Sequence, residues 1–223
     1  LIYALISDIH SNIFALESAL KAIRKKGVDN ILVAGDICGK GPHPFEVLKT
    51  LKSTSAIVVK GNSDLKFLSS KLSTALKPKE KELIKWFSSL PLIKIVDEKI
   101  LLCHGSPLKV TDYIYPSITK EALLKKIEGF GDLLVVASGH SHIPFVKKIE
   151  NILVVNGGSV GKPIDGDPRG SYAIIEINGG KAKGEIYRFE YDIDSFTALL
   201  KKLGYSKKTI LSYKEGLRNG RSR

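Results

Sequence analysis

Methionine is absent from this 223-residue sequence, tryptophan occurs once and cysteine twice. The lack of methionine at position 1 is read as a numbering expected to omit the initiator. Cys38 and Cys103, both in apolar surroundings, offer neither a disulfide framework nor a CxxC metal site, and read as small core residues. No apolar run is long enough to cross a bilayer, and the opening LIYALI is too short, and lacks a basic leader, to be a signal peptide. The expected location is therefore cytoplasmic, with no membrane partner. Acidic residues are also scarce, 23 against 35 lysines and arginines, for a formal net charge of +12. That excess draws anionic partners, whether nucleic acid, an acidic surface or phosphorylated small molecules, and does not choose among them. Much of it is scattered on helix faces (Lys21, Arg24, Lys25, Lys26; Lys77, Lys79, Lys81), which reads as solvation. Only Lys207, Lys208, Arg218, Arg221 and Arg223 build toward a basic tail.

What is present is an ordinary globular composition, 43% hydrophobic with mean hydropathy near zero, enough for one α/β domain with a substantial core. Apolar strand candidates occur at 1–6, 30–35, 56–61, 99–105, 133–139 and 151–158. After Asn12, a helix N-cap, Ile13, Leu16, Leu20 and Ile23 share one face of a helix that ends at Gly27. Further amphipathic stretches cover about 44–52, 64–72, 79–89 and 119–129, so strands and helices alternate as in an α/β fold. Two later strand candidates, 171–177 and 184–191, flank an Asn-Gly-Gly turn and read as a hairpin. Helical stretches at 194–203 and from about 206 complete the chain. With no linker or internal repeat, the reading is one domain over 1–192 and a basic helical extension, 193–223, packed on it or trailing.

The first strand runs into Asp8-Ile9-His10. If the extended path continues, these two side chains point the same way, and together can bind a metal, run acid/base chemistry or simply pair. The other main strands end similarly: in Gly35-Asp36, in Gly61-Asn62-Ser63-Asp64, in His104-Gly105, in Gly139-His140-Ser141-His142 and in Asn156-Gly157-Gly158-Ser159. In an open α/β sheet the carboxyl ends of the strands form the ligand crevice, so groups far apart in sequence can meet there. A lone histidine is more often a satisfied core or surface residue. The set of them at strand ends favours a site. Asp, Asn and His form a hard-to-borderline ligand set suited to Mn, Fe, Co, Ni or Zn. Seven such side chains exceed one tetrahedral centre and match a pair of ions bridged by one carboxylate.

The ordered blocks DxH (8–10), GD (35–36), GNxD (61–64), HG (104–105) and GHSH (139–142) resemble those of the calcineurin-like metallophosphoesterases, especially the small bacterial and archaeal phosphodiesterase branch. GDICGKGPHP and NGGSVGKPIDGDPRGSYAI are similar to longer segments of that branch, and the resemblance spans Leu1 to about Arg188. It implies a four-layer αββα sandwich of two mixed sheets flanked by helices, and a cofactor of two divalent ions, Mn²⁺ first, with Fe, Zn, Ni or Co as alternatives. It implies Asp8, His10, Asp36 and His142 as ligands of one ion and Asp36, Asn62, His104 and His140 as ligands of the other. Asp36, Asn62 and His104 would also be catalytic, and Asn62 would touch substrate. The mechanism implied is attack on phosphorus by a hydroxide bridging the two ions.

In many members of this family the third block reads GNH[DE], its histidine protonating the leaving group. Here Ser63 stands in that place, and a serine hydroxyl is too weak an acid for the task near neutral pH. Asp64 reads as the N-cap of the following helix. His43, on the loop after Asp36, is either a substitute acid or an exposed turn residue. Arg169 and Lys162 lie on the loop after the sixth strand, where either could clamp a substrate phosphate; for Arg169 the alternative is a surface ion pair with Asp165 or Asp167.

The leading expectation is a metal-dependent phosphoesterase, most of all a phosphodiesterase acting on a small or exposed phosphate ester. Dinucleoside polyphosphate hydrolysis or protein phosphatase activity is the alternative within hydrolases. A nucleic-acid-binding protein or nuclease is the alternative that the charge suggests, although no aromatic-interleaved basic strand or DNA-reading motif occurs. A protein-interaction scaffold on the same fold would lack several metal ligands, and none is missing here.

Overall fold

Along β1 (Ile2–Ile6), Tyr3 and Leu5 face one apolar cluster while Ala4 and Ile6 face another. This period of two lets one strand serve two cores. In the computed structural model, which describes residues 1–71 and 75–217, the same division recurs in both sheets. The first sheet has the order β10-β9-β1-β2-β3, with β2 (Asn30–Ala34), β3 (Ile57–Val59), β9 (Gly170–Asn178) and β10 (Lys181–Phe189). The second has the order β4-β5-β6-β8-β7, with β4 (Ile93–Val96), β5 (Ile100–Cys103), β6 (Val135–Ser138), β7 (Phe145–Ile149) and β8 (Ile152–Asn156). In the first sheet β1, β2 and β3 are parallel and β9 is antiparallel to both β1 and β10; in the second β5, β6 and β8 are parallel, with β4 and β7 antiparallel at the edges. Both sheets are therefore mixed.

Tyr3, Leu5 and Leu32 meet Ile100, Leu102, Val135 and Val155 between the sheets, in a core without helices. On the outer face of the first sheet, Ala4, Ile6 and Val33 pack with α1 (Ile13–Arg24), α2 (Pro44–Lys52) and α4 (Pro78–Ser89). Phe196 and Leu200 of α6 (Ile193–Lys202) and Tyr213 of α7 (Lys207–Lys214) belong to that same core. On the outer face of the second sheet, Leu101, Val136 and Val154 pack with Leu123 of α5 (Lys120–Lys126). The result is the expected helix-sheet-sheet-helix sandwich. Asn12 caps α1, its side chain accepting from the Ala15 amide at 3.1 Å. The β9–β10 hairpin turns on Gly179 and Gly180, both with positive φ, as a two-residue turn matched to sheet twist requires.

The six apolar runs became β1, β2, β3, β5, β6 and β8. β4 and β7, with no counterpart in the apolar pattern, are the two edges of the second sheet. Among the described residues no helix is long and apolar enough to cross a membrane. Arg218, Arg221 and Arg223 lie outside the described residues.

Candidate metal centre

Neighbouring parallel strands β1, β2 and β3 of one sheet and β5, β6 and β8 of the other bring their carboxyl ends to one side of the sandwich. The path there is not extended. Asp8, His10, Asp36, His140 and His142 all have φ between 48° and 65°. Left-handed backbone is uncommon away from glycine and tends to be stored at functional sites. Asp8 and His10 thus converge through a tight left-handed turn after Ile6, rather than by strand alternation.

Two clusters result, Asp8 with His10 and His142, and Asp36 with His104 and His140, each offering ligand atoms within 4.8 Å of one another. In the first, His142 Nε2 is 3.0 Å from Asp8 Oδ1 and 3.2 Å from His10 Nε2. In the second, His104 Nε2 is 3.1 Å from both Asn62 Oδ1 and His140 Nδ1. Asp36 reaches both clusters: its Oδ1 is 3.3 Å from His104 Nε2 and its Oδ2 is 3.7 Å from His10 Nε2. All seven side chains expected from sequence therefore come together.

The surrounding hydrogen bonds fit this set to cations. His142 Nδ1 lies 2.5 Å from Lys162 O, and His104 Nδ1 2.7 Å from Ala34 O. A carbonyl only accepts, so these nitrogens carry the hydrogen, and in the neutral ring each Nε2 is left with a lone pair. Those lone pairs face Asp8 Oδ1 and Asp36 Oδ1, an opposition that a cation relieves. Asp8 Oδ1 is buried and has no hydrogen-bond donor. Burial, then the neighbouring Lys40 charge, push the His10 pKa well down, which favours its neutral form.

Other residues brace the ligand set. Ser7 Oγ donates to Asp8 Oδ2 at 2.6 Å, and the His140 amide donates to the same oxygen at 2.9 Å. Ser159 Oγ donates to Asp8 O at 2.8 Å, and Asn156 Nδ2 to Gly139 O at 2.7 Å, so the sixth strand end supports the site from behind. At Gly61 a side chain would collide with Asp36 Oδ1, which is why backbone alone can pass there.

Ser63 is not idle. Its amide donates to Asp36 Oδ1 at 2.8 Å and its hydroxyl to Oδ2 at 2.6 Å. Asp64 is not the N-cap that its position suggested. The helix α3 (Asn62–Lys71) begins two residues earlier, so Asp64 sits in its first turn and reaches back to the Gly61 amide at 2.8 Å. It also accepts from the Cys38 amide at 2.8 Å, and burial with the nearby Asp36 raises its pKa well above the carboxylate range.

A cleft of about 740 Å³ opens over the clusters and is lined by Asp36, Asn62, His140 and His142. His43 does not line it; it begins α2 and packs its ring 5.9 Å from that of Phe14. Arg169 is half exposed and clamps Asp167, its Nη2 2.7 Å from Oδ2, which is the surface pair weighed from sequence. Lys162 does line the cleft, but is buried there: Nζ donates to Ser212 Oγ at 2.5 Å and sits 4.2 Å over the Tyr213 ring. Burial, with a smaller push from Lys40, takes its pKa down to about 7. Sequence reasoning missed Lys40, whose Nζ is 3.4 Å from His10 Nε2, and Lys66, both at the cleft. It also missed Tyr113 and Tyr115, and the wall supplied by Thr209, Ser212 and Tyr213 of α7. The quoted GDICGKGPHP block contains Lys40, and residues 111–115, TDYIY, carry Tyr113 and Tyr115 in a polar loop, so a signal existed for these three.

Residues 1–180 match the calcineurin-like phosphoesterase superfamily domain. The chain belongs to that family. It is thus a metallophosphoesterase, a metal-dependent hydrolase. A metallophosphoesterase of Sphaerobacter thermophilus superposes with a TM-score of 0.80 at 25% identity, over 97% of this chain and 99% of that one. An uncharacterized protein of Methanocaldococcus jannaschii is 33% identical over 222 residues, 85% of this chain and 88% of the relative. A protein of Vibrio campbellii named bis(5'-nucleosyl)-tetraphosphatase, symmetrical, is 32% identical over 123 residues, 47% of this chain and 45% of its own length.

Proposed function

We propose that this metallophosphoesterase is a phosphodiesterase whose two divalent ions, Mn²⁺ foremost among Mn, Fe, Zn, Ni and Co, share Asp36. Asp8, His10 and His142 would complete one ligand set and Asn62, His104 and His140 the other. The observation that carries this is Asp36 itself, one carboxylate oxygen facing each cluster at 3.3 and 3.7 Å. Bound divalent ions supply Lewis acidity: they make water a nucleophile at neutral pH and offset charge on phosphoryl oxygens.

The chain's own residues do the rest. Ser63 and Ser7 fix the carboxylates of Asp36 and Asp8, so that the ligand set needs little rearrangement. Lys40 and Lys66 add positive charge at the cleft for the phosphate, with Asn62 beside it. Lys162 is occupied by Ser212 and Tyr213 and contributes mainly by holding α7 against the cleft. Ser63 has its hydroxyl on Asp36, and His43 is not among the cleft residues. Support for side-chain proton delivery to the leaving group is therefore weak, which favours leaving groups that depart unassisted.

A second reading, hydrolysis of a dinucleoside polyphosphate, is favoured by the lysines at the cleft and by the partial similarity to the tetraphosphatase of Vibrio campbellii. Its anhydride leaving groups also need no acid. Rates on bis(p-nitrophenyl) phosphate and on diadenosine tetraphosphate, before and after chelation and after Mn²⁺ return, test both. Hydrolysis indifferent to chelation would overturn the proposal, and the ratio of the two rates ranks the readings.

A further inference from the structure

The His140 ring is the first of three stacked rings. Tyr113 lies 4.3 Å from it, centroid to centroid, at an interplanar angle of 22°, and Tyr115 lies 5.1 Å from Tyr113 at 10°. Both tyrosines line the 740 Å³ cleft, and Tyr115 is 40% exposed. A near-parallel aromatic ladder thus runs from a candidate metal ligand outward along the cleft.

The loop that carries these rings is held in place. The Tyr113 amide donates to Asp112 Oδ1 at 2.8 Å, and Asp112 is paired with Lys126 of α5. Lys147 Nζ donates to Pro116 O at 3.0 Å and to Ile118 O at 2.7 Å, tying the far side of the loop to β7. A fixed ring surface costs less entropy on binding than a mobile one. Successive rings at stacking distance are how proteins hold nucleobases, whose flat faces add to the stack whatever their edge chemistry. The cleft volume is within the range of small-molecule sites and suits a nucleotide.

We infer that Tyr115, backed by Tyr113, is a base-stacking subsite, and that the substrate is a nucleoside phosphate whose base lies on this ladder while a phosphate meets the metal centre. Lys40 and Lys66, on the same cleft, would take further phosphates of a nucleoside polyphosphate. This rests on the phosphoesterase reading and deepens it.

The test uses esters that share one leaving group, p-nitrophenolate, and differ in the alcohol retained: adenosine 5'-(p-nitrophenyl phosphate), phenyl p-nitrophenyl phosphate and methyl p-nitrophenyl phosphate. For the Mn²⁺-loaded wild type, kcat/KM on the adenosine ester is expected to exceed that on the methyl ester by about tenfold to a hundredfold, the range of one base–aromatic stack. Tyr115→Ala should bring this ratio close to one, and Tyr115→Phe, which keeps the ring, should restore it. A ratio unchanged in Tyr115→Ala overturns the inference, as does a preference that follows the phenyl ester and not the adenosine ester. Should no ester be cleaved, the phosphoesterase reading fails first, and AMP binding by calorimetry then decides the subsite. Binding at least about tenfold weaker in Tyr115→Ala supports it, while equal binding in the two proteins overturns it.

Discussion

Ser63 holds Asp36 through both of its donors, the amide on Oδ1 at 2.8 Å and the hydroxyl on Oδ2 at 2.6 Å. A position that could have delivered a proton to substrate instead orients the carboxylate that faces both clusters. Ser63→Ala keeps the amide bond and loses the hydroxyl bond, so Asp36 gains freedom without losing charge. Removing such a supporting partner typically costs about 10- to 100-fold in metal affinity or activity. Titration of metal into the metal-free variant should show that weakening with an unchanged melting curve; wild-type affinity in Ser63→Ala would remove the positioning role.

The same hydrogen bond bears on leaving groups. A positioned general acid contributes about 10²–10⁴ in rate, most of it for strongly basic leaving groups. Rates across p-nitrophenyl, phenyl and alkyl esters should therefore fall steeply with leaving-group basicity in wild type. Ser63→His should flatten that dependence, and His43→Ala, altering a ring packed on Phe14, should leave it as it was. A shallow dependence in wild type would show that a proton reaches the leaving oxygen by another route.

Stability should decline in alkali in a way that one hydroxyl explains in part. Tyr191 is buried, and burial, against a smaller opposing contribution from the Asn12 side chain, pushes its pKa up to about 12. In the unfolded chain the same group ionises near pH 10. Between those values the unfolded state gives up a proton that the folded state keeps, so stability present below about pH 10 is lost as pH rises toward 12. The loss is on the order of 2 kcal/mol for this residue. Urea unfolding at pH 8 and pH 11 should show a smaller drop in Tyr191→Phe than in wild type, and an equal drop would contradict the assignment.

Much of this architecture was legible because buried parallel strands must be apolar and their carboxyl ends must carry the ligands. β5 and β6 are buried at every position and stood out as apolar runs. β4 and β7 did not, because sheet edges are kept polar: Lys94 lies in one, Lys147 and Lys148 in the other. The five ordered blocks singled out the seven side chains that come together here, yet not how they converge, since left-handed turns at Asp8, His10, Asp36, His140 and His142 leave no mark in hydrophobic periodicity. Asp64 was misplaced by two residues of helix, a boundary that pattern alone fixes poorly. The cleft wall from α7 was invisible for a different reason. Its contact with Lys162 spans 50 residues and depends on packing rather than on any local motif.

The central claim is that one carboxylate serves two metal ions. Metal content and calorimetric titration of purified wild type should give two Mn²⁺ per chain, with hydrolysis lost on chelation and regained on Mn²⁺ return. In Asp36→Asn both sites should weaken together and activity should fall by at least about 10², while Lys183→Ala, an exposed partner of Glu176 on the first sheet, should match wild type. Full occupancy of either site in Asp36→Asn, or two Mn²⁺ per chain retained with activity near wild type, would contradict the shared carboxylate.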